Sequence, residues 1–176
     1  MNNSSKIIIL TGQKGVGKST LCMNIRHSAI EIGATCGGII TYKSHDHGII
    51  IEDVDTGETE IMASRHPVYS GPRVGHYYFN RSALIFGLSA IKKGLGKDIV
   101  FIDELGHLEV RGEGFAETFE YLMKYTFNQA VVVIREELLG TLIPKFEIYP
   151  HIVRITLYNR DDVSKDIFSL LSNQDI

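Results

Sequence analysis

Unbroken apolar runs alternate along the chain with stretches whose apolar positions recur every three or four residues. The run "KIIIL" at 6–10 predicts a strand buried on both faces of a parallel sheet. From 19 to 32, Leu21, Cys22, Ile25, Ala29 and Ile32 fall at helical spacing and Gly33 supplies a stop. Between 36 and 62 the pattern shortens to "GGIITYK", "GIIIEDV" and "ETEIM", separated by "SHDHG" and "DTG". Glycine after polar residues is turn chemistry, so an antiparallel β-meander attached to the parallel sheet is expected. Residues 64–79, with two prolines and two glycines, read as an irregular connection. Asn80 is placed to cap a helix running through Lys93. "DIVFIDE", "AVVVI" and "HIVRITLY" follow as three further strands, with helices expected over 115–125, from Glu136 to about Leu142, and over 161–171. The alternation predicts one three-layer α/β domain spanning 1–176, with a mainly parallel sheet.

Composition narrows the partners. A net charge of −3 gives no basic field for a nucleic-acid backbone, so nucleic acid is not an expected partner. No apolar run reaches the roughly 18 residues of a membrane span, and the chain reads as soluble and cytoplasmic, a monomer or small homo-oligomer. Cys22 and Cys36 lack paired metal spacing and read as buried, reduced thiols.

The chemistry sits in two segments. "GQKGVGKST" contains G-x-x-x-x-G-K-[ST] in full, between a predicted strand and a predicted helix where that motif belongs. Glycines let successive backbone N–H groups curl around an anion, and the helix N-terminus adds partial positive charge. Gly12, Gln13, Lys14, Gly15, Val16, Gly17, Lys18, Ser19 and Thr20 are therefore assigned to nucleotide binding, with Lys18 reaching the terminal phosphates and Ser19 helping to hold Mg²⁺. Downstream, "IVFIDE" ends a buried strand in two acids. Asp103 is expected to bind the metal through its water shell, and Glu104 to polarise an attacking water.

Other patterns admit a second meaning. "DELG" at 103–106 fits the D-x-x-G of GTPase switches, with His107 after it, and "NRDD" at 159–162 has the spacing of a guanine-reading motif with Arg160 in place of Lys or Thr. "NRDD" also reads as a strand end followed by acids in a first helical turn. "HDH" at 45–47 falls on a predicted turn without a third ligand nearby. Arg135 ends the strand after the acidic one, where it either meets the γ-phosphate or is solvated. Arg65, Arg73 and Arg81 read as surface residues, and Phe115, Phe119, Tyr121 and Tyr125 as packing.

These residues resemble the thermostable P-loop nucleoside-triphosphatases, whose animal members are called cancer-related nucleoside-triphosphatase. The matching pieces are "LTGQKGVGKSTL", "GGIIT", "RVGHYYFN", "VFIDELGHLEV" and "LYNRDDV", in that order over nearly the whole chain. The resemblance implies a RecA-like domain that hydrolyses ATP, GTP and other nucleoside triphosphates with Mg²⁺. It places 12–20 at the phosphates, Asp103 and Glu104 at metal and water, Glu109 at the end of the acidic segment, and Asn159 and Arg160 on the family's Asn-Arg pair. The chain departs from the family in "TYKSHDH" at 41–47, where acidic residues and an Arg are usual, and at His107. A small-molecule or nucleoside kinase using the same loop, and a nucleotide-gated GTPase-like binding module, remain the alternatives.

Overall fold

The computed structural model describes residues 6–159 together with Asp162, Val163 and Ile167. Its described strands form one sheet in the order β5-β6-β4-β3-β2-β7-β8-β1-β9. The elements are β1 (Lys6–Thr11), α1 (Lys18–Glu31), β2 (Cys36–Lys43), β3 (Ile49–Asp53), β4 (Thr59–Ser64), β5 (Arg73–Val74) and β6 (Tyr77–Phe79). They continue with α2 (Arg81–Gly94), β7 (Ile99–Leu105), α3 (His107–Val110), α4 (Glu117–Lys124), β8 (Gln129–Ile134), α5 (Leu139–Leu142) and β9 (His151–Arg154).

The apolar runs become the parallel centre, with β7 on β2 and β8, and β1 on β8 and β9. Period-two alternation sends Ile7, Ile9, Val100, Ile102, Ala130 and Val132 into one core, and Ile8, Leu10, Phe101, Val131 and Val133 into another on the opposite face. Helix α1 covers the second face through Leu21, Cys22, Ile25 and Ala29. Helices α2 and α4 cover the first through Ala83, Leu84, Ile91, Phe119 and Leu122. A sheet buried on both faces explains why these strands carry so few polar residues.

Strands β3, β4, β6 and β5 extend the same sheet by antiparallel pairing beyond β2. The stretch 64–79 is thus not wholly irregular. Pro72 accepts from Phe79 N–H at 2.9 Å, and a two-residue strand pairs with "YYF". Strands this short, set among prolines and glycines, have no readable period. Asn80 caps α2 as expected, its side chain accepting from Ser82 N–H. The expected strand over 151–158 stops at Arg154. The expected helix from Glu136 is broken into a 3-10 turn, the four-residue α5 and a second 3-10 turn. Most of the helix expected over 161–171 lies outside the described residues, although Val163 and Ile167 are buried in the α1-side core. The short α3 was not foreshadowed by any periodicity.

One contact fixes β2 against the acidic strand. Gly38 has φ +91°, and a Cβ there would lie 2.0 Å from the Phe101 carbonyl oxygen. Gly94 at the end of α2 packs on the backbone of Gly37 and Gly38, its absent Cβ 2.4 Å from Gly38 N. The "GG" opening of β2 therefore lets a strand and a helix meet backbone to backbone.

Candidate nucleotide and metal site

The loop between β1 and α1 curls through three left-handed glycines, Gly12, Gly15 and Gly17, with φ of 149°, 82° and 104°. A Cβ on Gly12 would stand 2.4 Å from the Ile155 carbonyl oxygen, so the segment after β9 closes directly over the loop. Helix α1 begins with Gly17 as N-cap, and neither a capping side chain nor an acid in its first turn occupies its amides. Such an uncapped N-terminus presents N–H donors and a positive dipole end to an anion. Val16 is buried, whereas Gln13, Lys14, Gly15 and Thr20 are exposed and Gly17, Lys18 and Ser19 half-buried. Lys18 folds back along the loop, its Nζ donating to the carbonyls of Gly12 at 2.8 Å and Gln13 at 2.9 Å. Burial lowers its pKa; Glu104 and Asp103 pull the other way, and Arg135 adds to the lowering.

The acidic residues are presented by an irregularity in the sheet. Ile102 faces Val132 but Leu105 faces Ile134, so β7 carries one more residue than β8 across this interval. Within that bulge Glu104 has φ 69°, a left-handed conformation costly for a residue with a side chain. The bulge leaves Asp103 inside, 1% exposed, while the side chain of Glu104 is 32% exposed. Asp103 Oδ2 accepts from Thr41 N–H at 2.9 Å and from the Thr41 hydroxyl at 3.1 Å. Its buried Oδ1 has no hydrogen-bond partner among the described residues. Burial pushes the Asp103 pKa up to about 6, with Glu104 adding to the rise and Thr41 and Ser19 opposing it.

Glu104 is held by Arg135, whose Nε donates to Oε1 at 2.9 Å and whose Nη2 reaches the same oxygen more closely still. A cavity of about 50 Å³ opens beside this pair, bounded by His107, Leu108 and Phe115 and by Val74, Tyr77 and Phe79 of the hairpin. Glu109, 2% exposed, turns instead to the backbone, where its carboxylate accepts from Gly106 N–H at 2.6 Å and Phe115 N–H at 2.8 Å. It fixes the turn after the acidic strand, with its own pKa raised chiefly by burial.

On the other side of the loop a cleft of about 430 Å³ lies between Gln13–Val16 and Arg154–Tyr158. Leu157 and Tyr158 are 70% and 98% exposed at its edge. Asn159 shapes this wall: its Oδ1 accepts from Thr156 N–H at 2.7 Å and the Thr156 hydroxyl at 3.0 Å, and its Nδ2 donates to the Arg154 carbonyl at 3.0 Å. Arg160 lies outside the described residues. Thr41 escaped the sequence reading as a site residue, although "GGIIT" ends on it. Only the β2–β7 pairing reveals that its N–H and hydroxyl meet Asp103.

The remaining candidates separate cleanly. His45 and His47 occupy a turn around Asp46, and no group of three or more His, Cys, Asp or Glu suited to a metal occurs among the described residues. Arg65 and Arg73 lie over the rings of Tyr77 and Tyr78, and Arg81 is exposed in the first turn of α2. Phe115 and Phe119 are core, while Tyr121 and Tyr125 stack edge to face under Lys92. Cys22 and Cys36 are buried free thiols, and burial raises the pKa of both. Among the described residues no helix is long and apolar enough to cross a membrane.

Comparison with known proteins bears on the family and the fold. The family model described as NTPase matches residues 7–168. The chain is 31% identical over 166 residues to nucleoside-triphosphatase THEP1 of Methanopyrus kandleri, covering 91% of this chain and 92% of that protein. It is 32% identical over 175 residues to nucleoside-triphosphatase THEP1 of Methanocaldococcus jannaschii, covering 92% and 95%. The crystal structure of THEP1 from the hyperthermophile Aquifex aeolicus superposes with TM-score 0.71 at 28% identity, covering 95% of this chain and 99% of that one. The solution structure of a human cancer-related nucleoside triphosphatase gives the same TM-score of 0.71 at 18% identity, covering 97% and 100%, a likeness of fold.

Proposed function

The chain belongs to the NTPase family, and from that membership we propose that it hydrolyses nucleoside 5'-triphosphates, ATP and GTP among them, to diphosphate and phosphate with Mg²⁺. The relatives named nucleoside-triphosphatase support the activity, and the strand order with β8 between the loop-bearing β1 and the acidic β7 supports a RecA-like reading of the domain, with β3 and β4 as its meander insertion. The observation that carries the reading is Glu104. A bulge and a left-handed backbone turn its carboxylate out of the sheet beside buried Asp103, next to a cavity of about 50 Å³. That volume suits ordered water and is far below the roughly 300 Å³ at which metabolite pockets begin.

In this reading the loop amides of 12–20 and Lys18 hold the β- and γ-phosphates. Ser19 and the unpartnered Oδ1 of Asp103 fit Mg²⁺, a metal that keeps waters and takes one or two protein oxygens beside the nucleotide phosphates. When bound, the ion neutralises charge on the transferred phosphoryl group. Thr41 keeps Asp103 aimed, Glu104 orients the attacking water in line and accepts its proton, and Lys18 offsets the charge that develops on the bridging oxygen. The nucleoside lies along the cleft of Leu157 and Tyr158. Asn159 and Arg160 are assigned to nucleotide binding, Asn159 by setting the shape of that wall.

The test is phosphate release from ATP, GTP, CTP and UTP, with Lys18→Ala as control. Glu104→Gln is expected to lose steady-state hydrolysis while still binding nucleotide. Undiminished release from that variant removes Glu104 from the role, and ADP formation that depends on an added metabolite, with no matching release of phosphate, makes the protein a kinase.

A further inference from the structure

Arg135 is the one strong cation in contact with Glu104 among the described residues, and its place follows from topology. It emerges one residue beyond Ile134, from a strand flanked by β1 on one side and β7 on the other. Val133 pairs with Leu10, two residues before Gly12, and Ile134 pairs with Leu105, one residue after Glu104. The guanidinium thus stands between the phosphate loop and the acidic bulge, and its charge and that of Glu104 both act on the Lys18 ammonium. Two of its five donors go to a single oxygen of Glu104. The pair is about one-third exposed on both sides, at 29% and 32%, and an ion pair so placed contributes little net stability. A terminal phosphoryl group offers higher charge and bidentate geometry to the same fork of donors.

We propose that Arg135 reads the third phosphate: it holds Glu104 while the loop carries no triphosphate, exchanges that carboxylate for γ-phosphoryl oxygens when one binds, and so frees Glu104 for water. The proposal rests on the hydrolase reading of the same site. It adds coupling, because the group that recognises the substrate is the group whose departure arms the base. A diphosphate cannot make the exchange, so product leaves Glu104 latched. Position also matters: the backbone of Arg135 is the cap of the following 3-10 turn, with φ −64° and ψ 137°, which leaves the side chain free to re-aim without refolding the strand.

The experiment compares affinities for ADP and for a triphosphate with an imido β–γ bridge, both with Mg²⁺, in the wild-type chain, Arg135→Ala and Arg135→Lys. Arg135→Ala is expected to lose about tenfold or more in imido-triphosphate affinity with ADP affinity kept within about twofold, and kcat is expected to fall by about 100-fold or more, as for removal of an arginine from a phosphoryl-transfer site. Arg135→Lys restores part of the triphosphate affinity, having charge without the fork. Equal losses for both nucleotides would mean a structural role, and no loss for either would mean a surface arginine; each overturns the proposal. If the alanine variant folds poorly, Arg135→Gln, of similar shape without charge, gives the same contrast. A crystal structure of the imido-triphosphate complex is expected to place the guanidinium on the γ-phosphate, and one with Arg135 still paired to Glu104 refutes the exchange. Should the wild-type chain release no phosphate from any triphosphate, the hydrolase reading fails, while the binding contrast still decides what Arg135 does.

Discussion

Asp103→Asn is expected to make the metal-free protein more stable while removing the Mg²⁺-dependent hydrolysis proposed above. Asp103 is buried, and its folded pKa is raised from 3.8 to about 6, burial being the largest cause. The sign follows from linkage: between those values the folded chain binds more protons than the unfolded one, so stability falls as pH rises and the full penalty persists above pH 6. At about 1.36 kcal/mol per pH unit, the ionised carboxylate costs the fold about 3 kcal/mol. Asparagine keeps an oxygen for the Thr41 N–H and hydroxyl, and turns its amide toward the position where Oδ1 has no partner. The uncharged amide escapes the ionic penalty but leaves its own donors to be satisfied, so a net gain of about 1–2 kcal/mol is expected. For a chain of 176 residues that is about 2–8 °C in Tm. The assay is thermal unfolding of both proteins with chelator present, from pH 4 to pH 8. Near pH 4, where the wild-type carboxyl is largely protonated when folded and only the cost of the amide remains, the variant should be no more stable than wild type or slightly less so, and the difference should then rise to its plateau above pH 6. A difference in Tm that is zero at pH 8, or constant across the range, refutes the reasoning.

Three further outcomes are expected. Glu109→Ala leaves the N–H groups of Gly106 and Phe115 without their buried acceptor, which should cost about 2–5 kcal/mol in denaturant unfolding; a loss below about 1 kcal/mol would mean that water replaces the carboxylate. Asn159→Ala removes the brace on Thr156 and Arg154, and should weaken the binding of ATP and GTP by a similar factor in competition titrations, whereas a loss confined to GTP would restore the guanine-reading role. Gly38→Ala meets both a left-handed φ and the Phe101 carbonyl, and should cost more than about 3 kcal/mol or leave the protein insoluble; near-wild-type unfolding would mean that β2 can shift away from β7.

The parallel centre of the fold was legible because a strand buried on both faces must be apolar throughout, and "KIIIL", "IVFI" and "AVVVI" are. The hairpin of β5 and β6 was not, because two- and three-residue strands generate no period and their pairing is settled by Pro72 and Phe79 meeting across a turn. The curl of the loop between β1 and α1 was legible from its glycines, since Gly12, Gly15 and Gly17 all take positive φ there. What escaped was every relation between strands far apart in sequence: Thr41 on Asp103 is a contact over 62 positions, and Arg135 on Glu104 one over 31.

That division separates what a motif can specify from what a sheet must supply. "IDE" announces two adjacent acids, but in a regular strand adjacent side chains point to opposite faces, and one of the two would be lost from the site. The extra residue of β7 between Ile102 and Leu105 and the left-handed turn at Glu104 break that alternation. Asp103 then remains anchored in the sheet by Thr41 while Glu104 reaches a partly exposed position beside Arg135. The strain at Glu104 and the unpartnered oxygen of Asp103 act in the same direction: each destabilises the nucleotide-free protein, and in the proposed reaction each has a use once a charged phosphate and its metal enter. Nucleotide with Mg²⁺ should therefore raise Tm by more in the wild-type chain than in Asp103→Asn, because only the wild-type has a buried charge for the metal to neutralise.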